Sequence, residues 1–452
     1  MMKKTGIAGL AAAGVFAGAA SVEAYEPSVE TVILADAETG QVLFEQNAEN
    51  PLPPASMTKM MSEYLILEAV NEGEISWDDE IAVDDHLSAL SHDRSLSNVM
   101  MRTDETYSVE ELYESVAIYS ANAATMALAS HISGSEGSFV EKMNERGKEI
   151  GMGELLREAG AEQGEENLEE IAAMEQGDFQ FVNSTGLPNH LLDGSQPEGT
   201  GEDEDNYMSA RASATLAYHL INDYPEVLDT ASIPEKTFRE GTADEIHMQN
   251  WNWMLEGTQY SDLDYEYVDG LKTGYTEAAG FTFTGTAEKD DSRFVSVVMG
   301  ADSEVHRFQE TERVMEWAFE NFEQMEVASE GEAVNSYETI PVVNGEEGEV
   351  GSEVAENLSV MIETGEEDLY SYEVELDEEK LTEDGELEAP VEAGEVIGHV
   401  TAEYNGDTEL YFLNGIDEEK LSVEITASDS VERAGFFSLT MRNIGSFFSG
   451  LF

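Results

Sequence analysis

Apolar and polar positions near the start of the chain follow a pattern that predicts a β-hairpin. Apolar runs at residues 32–35 and 42–44 flank the turn-forming segment 36–40. After a Pro-rich stretch the period changes to that of a helix, which we expect to begin near Ser56. Its apolar positions are Met57, Met60, Met61, Tyr64, Leu65 and Leu67.

Helical and strand patterns then succeed one another as far as residue 322. Helices are predicted at residues 109–130, 139–150 and 303–322. Strands forming an antiparallel meander are predicted at residues 267–275, 281–287 and 294–299. A Glu-rich segment, 154–178, has only weak apolar periodicity and is interpreted as a solvated insert or a short surface helix.

Beyond residue 323 the pattern changes to short alternating strands. They are predicted at residues 339–343, 358–363, 370–376, 396–404 and 409–413. Together these patterns predict an α/β fold with two units. The first, residues 25–322, would be an antiparallel sheet flanked by helices, and the second, 329–426, a small all-β sandwich.

Residues 1–24 have the pattern of a secretory signal peptide. Lys3 and Lys4 precede an apolar run over 7–20, and Val22 and Ala24 are small residues where a signal peptidase cleaves. We therefore expect cleavage after Ala24 and a mature protein outside the cytoplasm. A transmembrane anchor is the alternative, although the run is short for a span of about 20 residues.

The charge of the chain narrows the classes of function. The chain has 97 acidic and 21 basic residues, which give a formal net charge of −76. This balance excludes a nucleic-acid binder that works by neutralising phosphates. It indicates a salt-adapted bacterium, because concentrated salt screens the self-repulsion of the acidic surface. An unusually acidic secreted protein in ordinary medium is the alternative.

Neither disulfide nor metal chemistry is indicated by the composition. Cysteine is absent, and the eight histidines are scattered along the chain without ligand spacing. No cofactor is therefore expected.

Ser56 and Lys59 form the first candidate motif, Ser-x-x-Lys, where the Pro-rich stretch meets the helix. Residues three apart lie on one face of a helix, so the hydroxyl and the amine can approach each other. A lysine acts as a base only when burial or a neighbouring cation lowers its pKa. Taken alone the motif is weak, because a helix-capping Ser followed by an exposed Lys has the same pattern.

Two further motifs follow along the chain. Ser120 and Asn122 (Ser-x-Asn) fall between helical segments, where they either reach into a cleft or simply cap the next helix. Lys272, Thr273 and Gly274 (Lys-Thr-Gly) fall within a predicted strand, where they provide a cation, a hydroxyl and close backbone approach for an extended ligand. A solvent-facing strand Lys is the alternative for Lys272.

In this order the three motifs match the active-site signature of penicillin-interacting serine enzymes. The flanking segments 52–59, 181–188, 268–276 and 297–300 resemble those of the D-alanyl-D-alanine carboxypeptidases, a group of low-molecular-mass penicillin-binding proteins. The resemblance covers both units and the tail. It implies removal of the terminal D-alanine from peptidoglycan stem peptides ending in D-Ala-D-Ala, in peptidoglycan maturation and cell-shape control, with β-lactam antibiotics as covalent inhibitors.

The resemblance also implies roles in bond cleavage. Ser56 would attack the carbonyl between the two D-alanines, and Lys59 would take its proton. Ser120 would pass a proton to the leaving amine, and Asn122 would hold the peptide amide.

Further roles in binding are implied in the same way. The backbone N–H groups of Ser56 and Tyr275 would form the oxyanion hole. Lys272, Thr273 and Arg307 would bind the terminal carboxylate, unless Arg307 is a surface residue of its helix.

The sequence departs from the family pattern at two positions. Ala123 stands where an acidic residue is usual, and Tyr275 stands where many members have His. Both changes bear on rate and specificity more than on the type of reaction.

The sequence also bears on two alternatives to the carboxypeptidase. A class A β-lactamase needs Glu-x-x-x-Asn, and no Glu between residues 151 and 183 is followed four residues later by Asn. A non-catalytic envelope protein that binds peptidoglycan stems would not need the intact set of nucleophile, base and Lys.

The last segment, residues 431–452, differs from the rest of the chain. It has a single acid, Glu432, against Arg433 and Arg442. A largely apolar stripe recurs every three or four positions and comprises Phe436, Phe437, Thr440, Ile444, Phe447, Phe448 and Leu451. This period predicts an amphipathic helix lying on the outer face of the cytoplasmic membrane as a peripheral anchor. A helix packed on the sandwich is the alternative.

Overall fold

The computed structural model describes residues 25–155, 177–192, 194–335, 337–406, 410–415 and 418–435. The predicted signal peptide, most of the Glu-rich segment (156–176) and the tail beyond residue 435 lie outside the described residues.

A five-stranded antiparallel sheet, in the order β2-β1-β11-β10-β9, forms the centre of the first unit. The described strands of this unit are β1 (Thr31–Asp36), β2 (Val42–Gln46), β3 (Glu80–Ala82), β4 (Thr106–Ser108), β5 (Phe179–Gln180), β6 (Tyr207–Met208), β7 (Glu235–Phe238), β8 (Ile246–Gln249), β9 (Val268–Thr276), β10 (Gly280–Lys289) and β11 (Ser292–Ala301). The short strands pair as β3–β4, β5–β6 and β7–β8. The predicted hairpin and meander are thus confirmed, and β9 lies at an edge of the sheet.

Helices cover both faces of this sheet. The described helices are α1 (Lys59–Asn71), α2 (Asp85–Ser91), α3 (Val109–Tyr119), α4 (Asn122–Ser133), α5 (Glu136–Glu149), α6 (Ala210–Asp223), α7 (Val227–Ala231) and α8 (Glu304–Asn321). Alternate residues of β11 enter different cores: Val295 and Val297 join the core that includes α6, whereas Phe294 and Val298 pack with Phe308 of α8. Two apolar faces explain why this strand has a nearly continuous apolar sequence.

The helical stretch predicted over 109–130 is divided into α3 and α4. Ser108 caps α3 in a capping box with Glu111, and the helix ends at Ser120, whose φ of 60° is left-handed. Ala121 is extended, and α4 begins at Asn122. The Ser-x-Asn motif therefore occupies the turn between two helices.

The second unit is built from strands alone apart from short 3₁₀ turns in the described residues. Its strands are β12 (Phe322–Ala328), β13 (Thr339–Val343), β14 (Glu349–Val354), β15 (Leu358–Glu363), β16 (Tyr370–Leu376), β17 (Leu387–Glu388), β18 (Val396–Tyr404) and β19 (Ser422–Ala427). They form a six-stranded sheet, β16-β18-β19-β14-β13-β17, and the pair β12–β15. Residues 323–328, which the predicted bounds leave between the two units, lie on β12, and this strand pairs with β15 of the second unit.

The strand predicted at 409–413 is wrong for the part that the structure describes. Phe412 makes only isolated bridges, to Gln41 and Gly415, and Leu413 enters the core of the first unit. Arg211 donates to the carbonyl oxygens of both Phe412 and Leu413. The apolar residues of this segment therefore dock the two units together instead of extending a sheet.

The first residues of the tail, 431–435, do not form the predicted helix. Val431 bridges to Val391, and Arg433 bridges to Gly345, so residues 431–433 are extended and attached to the second unit. The remainder of the predicted anchor, 436–452, lies outside the described residues. Among the helices that the structure describes, none is long and apolar enough to cross a membrane.

Candidate active site

Ser56 lies in a 3₁₀ turn, Ala55–Thr58, that leads directly into α1. Ala55 has a left-handed φ of 49°, which turns the chain sharply before Ser56. Lys59 is the first residue of α1 and is fully buried, whereas Ser56 is half-buried. The Lys59 Nζ atom lies 3.1 Å from Ser56 Oγ, so the structure brings the two residues together as predicted.

The Lys59 amine has two further contacts, both with carbonyl oxygens. Its Nζ lies 2.8 Å from Asn122 Oδ1 and 2.7 Å from the backbone oxygen of Thr185. These oxygens can only accept hydrogen bonds. A neutral amine has two N–H groups for them, and its lone pair then remains for the hydroxyl proton of Ser56.

Burial favours that neutral form of Lys59. Desolvation is the main cause that moves the pKa of Lys59 well below its usual value, and the nearby Lys272 lowers it further. The Glu63 carboxyl acts in the opposite direction.

The loop that presents the Thr185 carbonyl is held by Asn183. Asn183 Oδ1 accepts from the backbone N–H and the hydroxyl of Thr185 and from the N–H of Gly186. Gly186 has a φ of +79°, and a Cβ there would lie 1.8 Å from the backbone oxygen of Ala55. Only glycine fits at this position, which brings the loop against the turn that carries Ser56.

Ser120 faces the second buried lysine. Lys272 Nζ donates to Ser120 Oγ over 3.1 Å and to the Thr273 carbonyl over 3.2 Å. Burial lowers the pKa of Lys272 to about 8; Glu63 raises it and Arg307 lowers it. A buried rather than solvent-facing Lys272 removes the alternative considered for this motif.

The edge strand β9 closes one side of the cleft. A Cβ at Gly274 would lie 2.5 Å from Thr282 Oγ1 and 2.6 Å from the Pro54 carbonyl, so glycine permits the strand to approach the Ser56 segment. The side chain of Tyr275, by contrast, is 54% exposed and stacks on Phe281 with ring centroids 4.4 Å apart.

Arg307 is buried, so the expectation that it could be a surface residue of its helix is wrong. Its Nη1 donates to the Gly274 carbonyl over 3.0 Å and to the Thr282 carbonyl over 3.3 Å. Its Nε has no hydrogen-bond partner in the described part of the chain. Burial lowers the pKa of Arg307 to about 10, so the guanidinium stays charged at neutral pH.

These groups surround a cleft of about 220 Å³. Its lining comprises Ser56, Ser95, Leu96, Ser97, Ser120, Asn122, Leu187, Trp251, Thr273, Gly274, Tyr275, Glu304 and Arg307. Lys59 and Lys272 are buried behind Ser56 and Ser120, with which they share hydrogen bonds. A second cavity, of about 290 Å³, shares Trp251 with the cleft.

Several residues of this site were not predicted. The Thr185 carbonyl, the Ser97 carbonyl that accepts from both nitrogens of Asn122, and Trp251 all contribute to it. Backbone carbonyls leave no signal in side-chain patterns. Glu63 did leave one, because it is an acid within an apolar helical run, four residues after the candidate base.

Two family models match the chain, one largely over the first unit and one over the second. The model of the D-alanyl-D-alanine carboxypeptidase family matches residues 18–156 and 169–303. The model of the penicillin-binding protein 5 C-terminal domain matches residues 322–433. The gap in the first match falls within the Glu-rich segment.

Individual relatives extend over nearly the whole chain. D-alanyl-D-alanine carboxypeptidase DacC of Escherichia coli is 30% identical over 424 residues, which cover 93% of this chain and 89% of that protein. The crystal structure of the peptidoglycan synthesis regulatory factor PBP3 from Streptococcus pneumoniae aligns with a TM-score of 0.71 and 29% identity, over 90% of this chain and all of that one. Penicillin-binding protein D2 of Listeria monocytogenes, solved in its cefotaxime-bound form, aligns with a TM-score of 0.50 and 28% identity over 66% of this chain and 99% of that one.

These matches support neither a class A β-lactamase nor a non-catalytic stem-binding protein. The chain belongs to the D-alanyl-D-alanine carboxypeptidase family, the serine-type carboxypeptidases among the low-molecular-mass penicillin-binding proteins.

Proposed function

We propose that this serine-type D-alanyl-D-alanine carboxypeptidase releases the terminal D-alanine of peptidoglycan stem peptides through an acyl-enzyme on Ser56. The observation that carries the proposal is the hydrogen bonding of Lys59. Its buried amine contacts two acceptor-only oxygens and the Ser56 hydroxyl, and burial favours its neutral form, so the amine is placed to take the proton of the nucleophile.

Acylation begins when Ser56 Oγ attacks the carbonyl carbon between the two D-alanines and its proton moves to Lys59. The resulting oxyanion is stabilised by the backbone N–H groups of Ser56 and Tyr275. The C–N bond then breaks: Ser120, hydrogen-bonded to Lys272, passes its proton to the leaving amine and receives in its place the proton that Lys59 took, which leaves Lys59 neutral again. D-Alanine departs, and the remaining stem peptide is an ester of Ser56.

Deacylation reverses these roles with water as the nucleophile. Lys59 takes a proton from water, the hydroxyl oxygen bonds to the ester carbon, and Ser56 leaves with the returned proton. The shortened stem peptide is released as a carboxylate.

The positive charge on one side of the cleft selects a free C-terminus. Thr273 and Arg307 line the cleft, and Lys272 is buried directly behind Ser120. A carboxylate bound there is stabilised by charge-assisted hydrogen bonds in a site with little water. Asn122, whose Oδ1 is engaged by Lys59, holds the peptide amide through its remaining hydrogen-bonding capacity.

β-Lactams react at the same serine in this proposal. A strained cyclic amide that places its carboxylate near Arg307 and Lys272 would acylate Ser56 and block the cleft. The related D2 protein of Listeria monocytogenes was solved with cefotaxime bound, which supports this assignment.

We also place the enzyme outside the cytoplasm, in peptidoglycan maturation and cell-shape control. The signal-peptide pattern of residues 1–24 supports export, and the apolar stripe of 436–452 supports a peripheral anchor on the outer face of the cytoplasmic membrane.

D-Alanine release from a peptide ending in D-Ala-D-Ala tests the catalytic proposal. Ser56→Ala should remove release, because the other groups of the site cannot replace the nucleophile. Ser95→Ala, which changes another serine of the same cleft, should keep most of it. Unchanged release by Ser56→Ala would refute the proposal.

A further inference from the structure

Glu63 is a buried carboxyl beside the two lysines of the site, and the mechanism above does not use it. It lies on α1 one turn after Lys59, with 3% of its surface exposed. Its Oε1 is buried without a hydrogen-bond partner in the described residues. A carboxyl removed from water in this way is costly unless a nearby cation compensates for it.

The cations that face Glu63 come from two elements. Lys59 lies four residues earlier on the same helix, and Lys272 lies on β9, which packs against α1. Both interact electrostatically with Glu63, and Lys272 more strongly than Lys59. Burial raises the pKa of Glu63 to about 7, and the two lysines oppose that rise.

The other titratable groups near Glu63 in the described residues are not cations. Tyr113 of α3 faces Glu63, and its buried hydroxyl has no hydrogen-bond partner in the described chain. Glu226 and Asp229, next to and on α7, act on Tyr113 rather than on Glu63.

Two charged residues on α5 and α6, which also pack against α1, interact with residues of α1 other than Glu63. Arg146 of α5 forms an ion pair with Glu68, and Asp223 of α6 accepts from the Tyr64 hydroxyl.

Lys59, Lys272 and Glu63 are all buried, so their charges are stable only if they compensate one another. Three neutral groups would lose the cation that binds a carboxylate, and two cations would remove the base. A single negative charge balances one lysine; Lys59 has to be neutral to take the proton of Ser56, which lies 3.1 Å away, so the positive charge remains on Lys272.

We propose that Glu63 is a positioning residue that sets the charge state of the two lysines. Its carboxylate holds the proton on Lys272 and leaves Lys59 as the neutral partner of Ser56. This inference rests on the proposed function of Ser56 and Lys59, and it assigns to Glu63 no contact with the substrate.

The pH dependence of acylation tests this role. In the wild-type enzyme the rate rises with pH as Lys59 loses its proton and falls again as Lys272 loses its own. Glu63→Gln removes the negative charge that raises the pKa of Lys272. The alkaline limb should therefore move to lower pH, by about one unit or more for two charges that are both buried. The rate of acylation by a fluorescent penicillin, measured from about pH 5 to about pH 10, reports both limbs.

Glu63→Asp and Asp178→Asn are the controls. Glu63→Asp keeps the charge and should retain the wild-type alkaline limb. Asp178 is also a buried carboxyl with one unpartnered oxygen, but its hydrogen bond is to Ser209. Asp178→Asn should lower stability without moving either limb. If Glu63→Gln does not fold, Glu63→Ser, which is smaller and also neutral, is measured in its place.

Two results would overturn the inference. An active Glu63→Gln enzyme whose alkaline limb coincides with that of the wild type would show that Glu63 only packs. A shift of equal size in Glu63→Asp would show that shape rather than charge matters. Either result leaves the proposed function standing, whereas D-alanine release by Ser56→Ala would remove that function itself.

Discussion

The Nζ atom of Lys59 lies 3.1 Å from the Oγ atom of Ser56. Lysine is usually an exposed cation, and here it is fully buried with carbonyl oxygens as its other partners. Burial weakens its hold on a proton, and the two carbonyls orient the lone pair. A common pair of side chains becomes a nucleophile and a base because of where the fold places it.

The acid limb of the pH profile should report on Lys59. Its pKa is lowered well below the usual value by burial and by Lys272, so the acid limb should lie well below the usual lysine pKa, and acylation should fall as Lys59 is protonated through that limb. Acylation rates across the acid range measure this limb. A rate that keeps rising up to the usual lysine pKa of about 10.4 would mean that the pKa of Lys59 is not lowered.

Lys272→Ala should discriminate between substrates by their C-terminus. Lys272 attracts the terminal carboxylate, so its loss should weaken turnover of free-acid peptides far more than that of the amidated peptides. The ratio of kcat/KM values for a matched acid and amide pair measures the effect. Equal losses for both would assign Lys272 to tuning Lys59 instead.

Much of the fold and of the site could be predicted because it depends on local patterns. The strand patterns predicted the meander of β9 to β11, and the family resemblance of the three motifs implied a shared site for Ser56, Lys59, Ser120 and Lys272, which the structure brings together.

What could not be predicted depends on long-range packing. Glu63 is visible as an acid within an apolar helical run, but the packing of α1 against β9, the strand that carries Lys272, is not visible in the sequence. The segment 409–413 has the apolar and aromatic residues of a short strand, yet Leu413 packs into the first unit. The local pattern of apolar residues does not distinguish a strand paired in a sheet from a segment that packs against another unit.

Stability should increase with salt well beyond physiological strength. Even the paired cations are shared between acids: Arg211 contacts both Glu45 and Glu49. The 21 basic residues leave a net charge of −76 on the chain, and its repulsion falls as the Debye length shrinks to about 3 Å near 1 M salt. Thermal melting in dilute buffer and in molar KCl measures this, with sucrose as a control for general stabilisation. An unchanged Tm would contradict salt adaptation.

Truncation after Gly435 should release active enzyme from membranes. Val431 and Ala434 are hydrogen-bonded to the second unit, so a cut at this point keeps those contacts and removes only 436–452. The full-length and truncated proteins should acylate equally, but only the former should float with liposomes made with anionic lipid, in high salt. Equal flotation of both would place the anchor elsewhere.

The residue that carries the acyl group tests the central claim most directly. After reaction with penicillin, digestion and mass spectrometry of the wild-type enzyme should locate the adduct on Ser56, and Ser56→Ala should carry none. An adduct on Ser95 or Ser120, or undiminished labelling of Ser56→Ala, would contradict the assignment of the nucleophile.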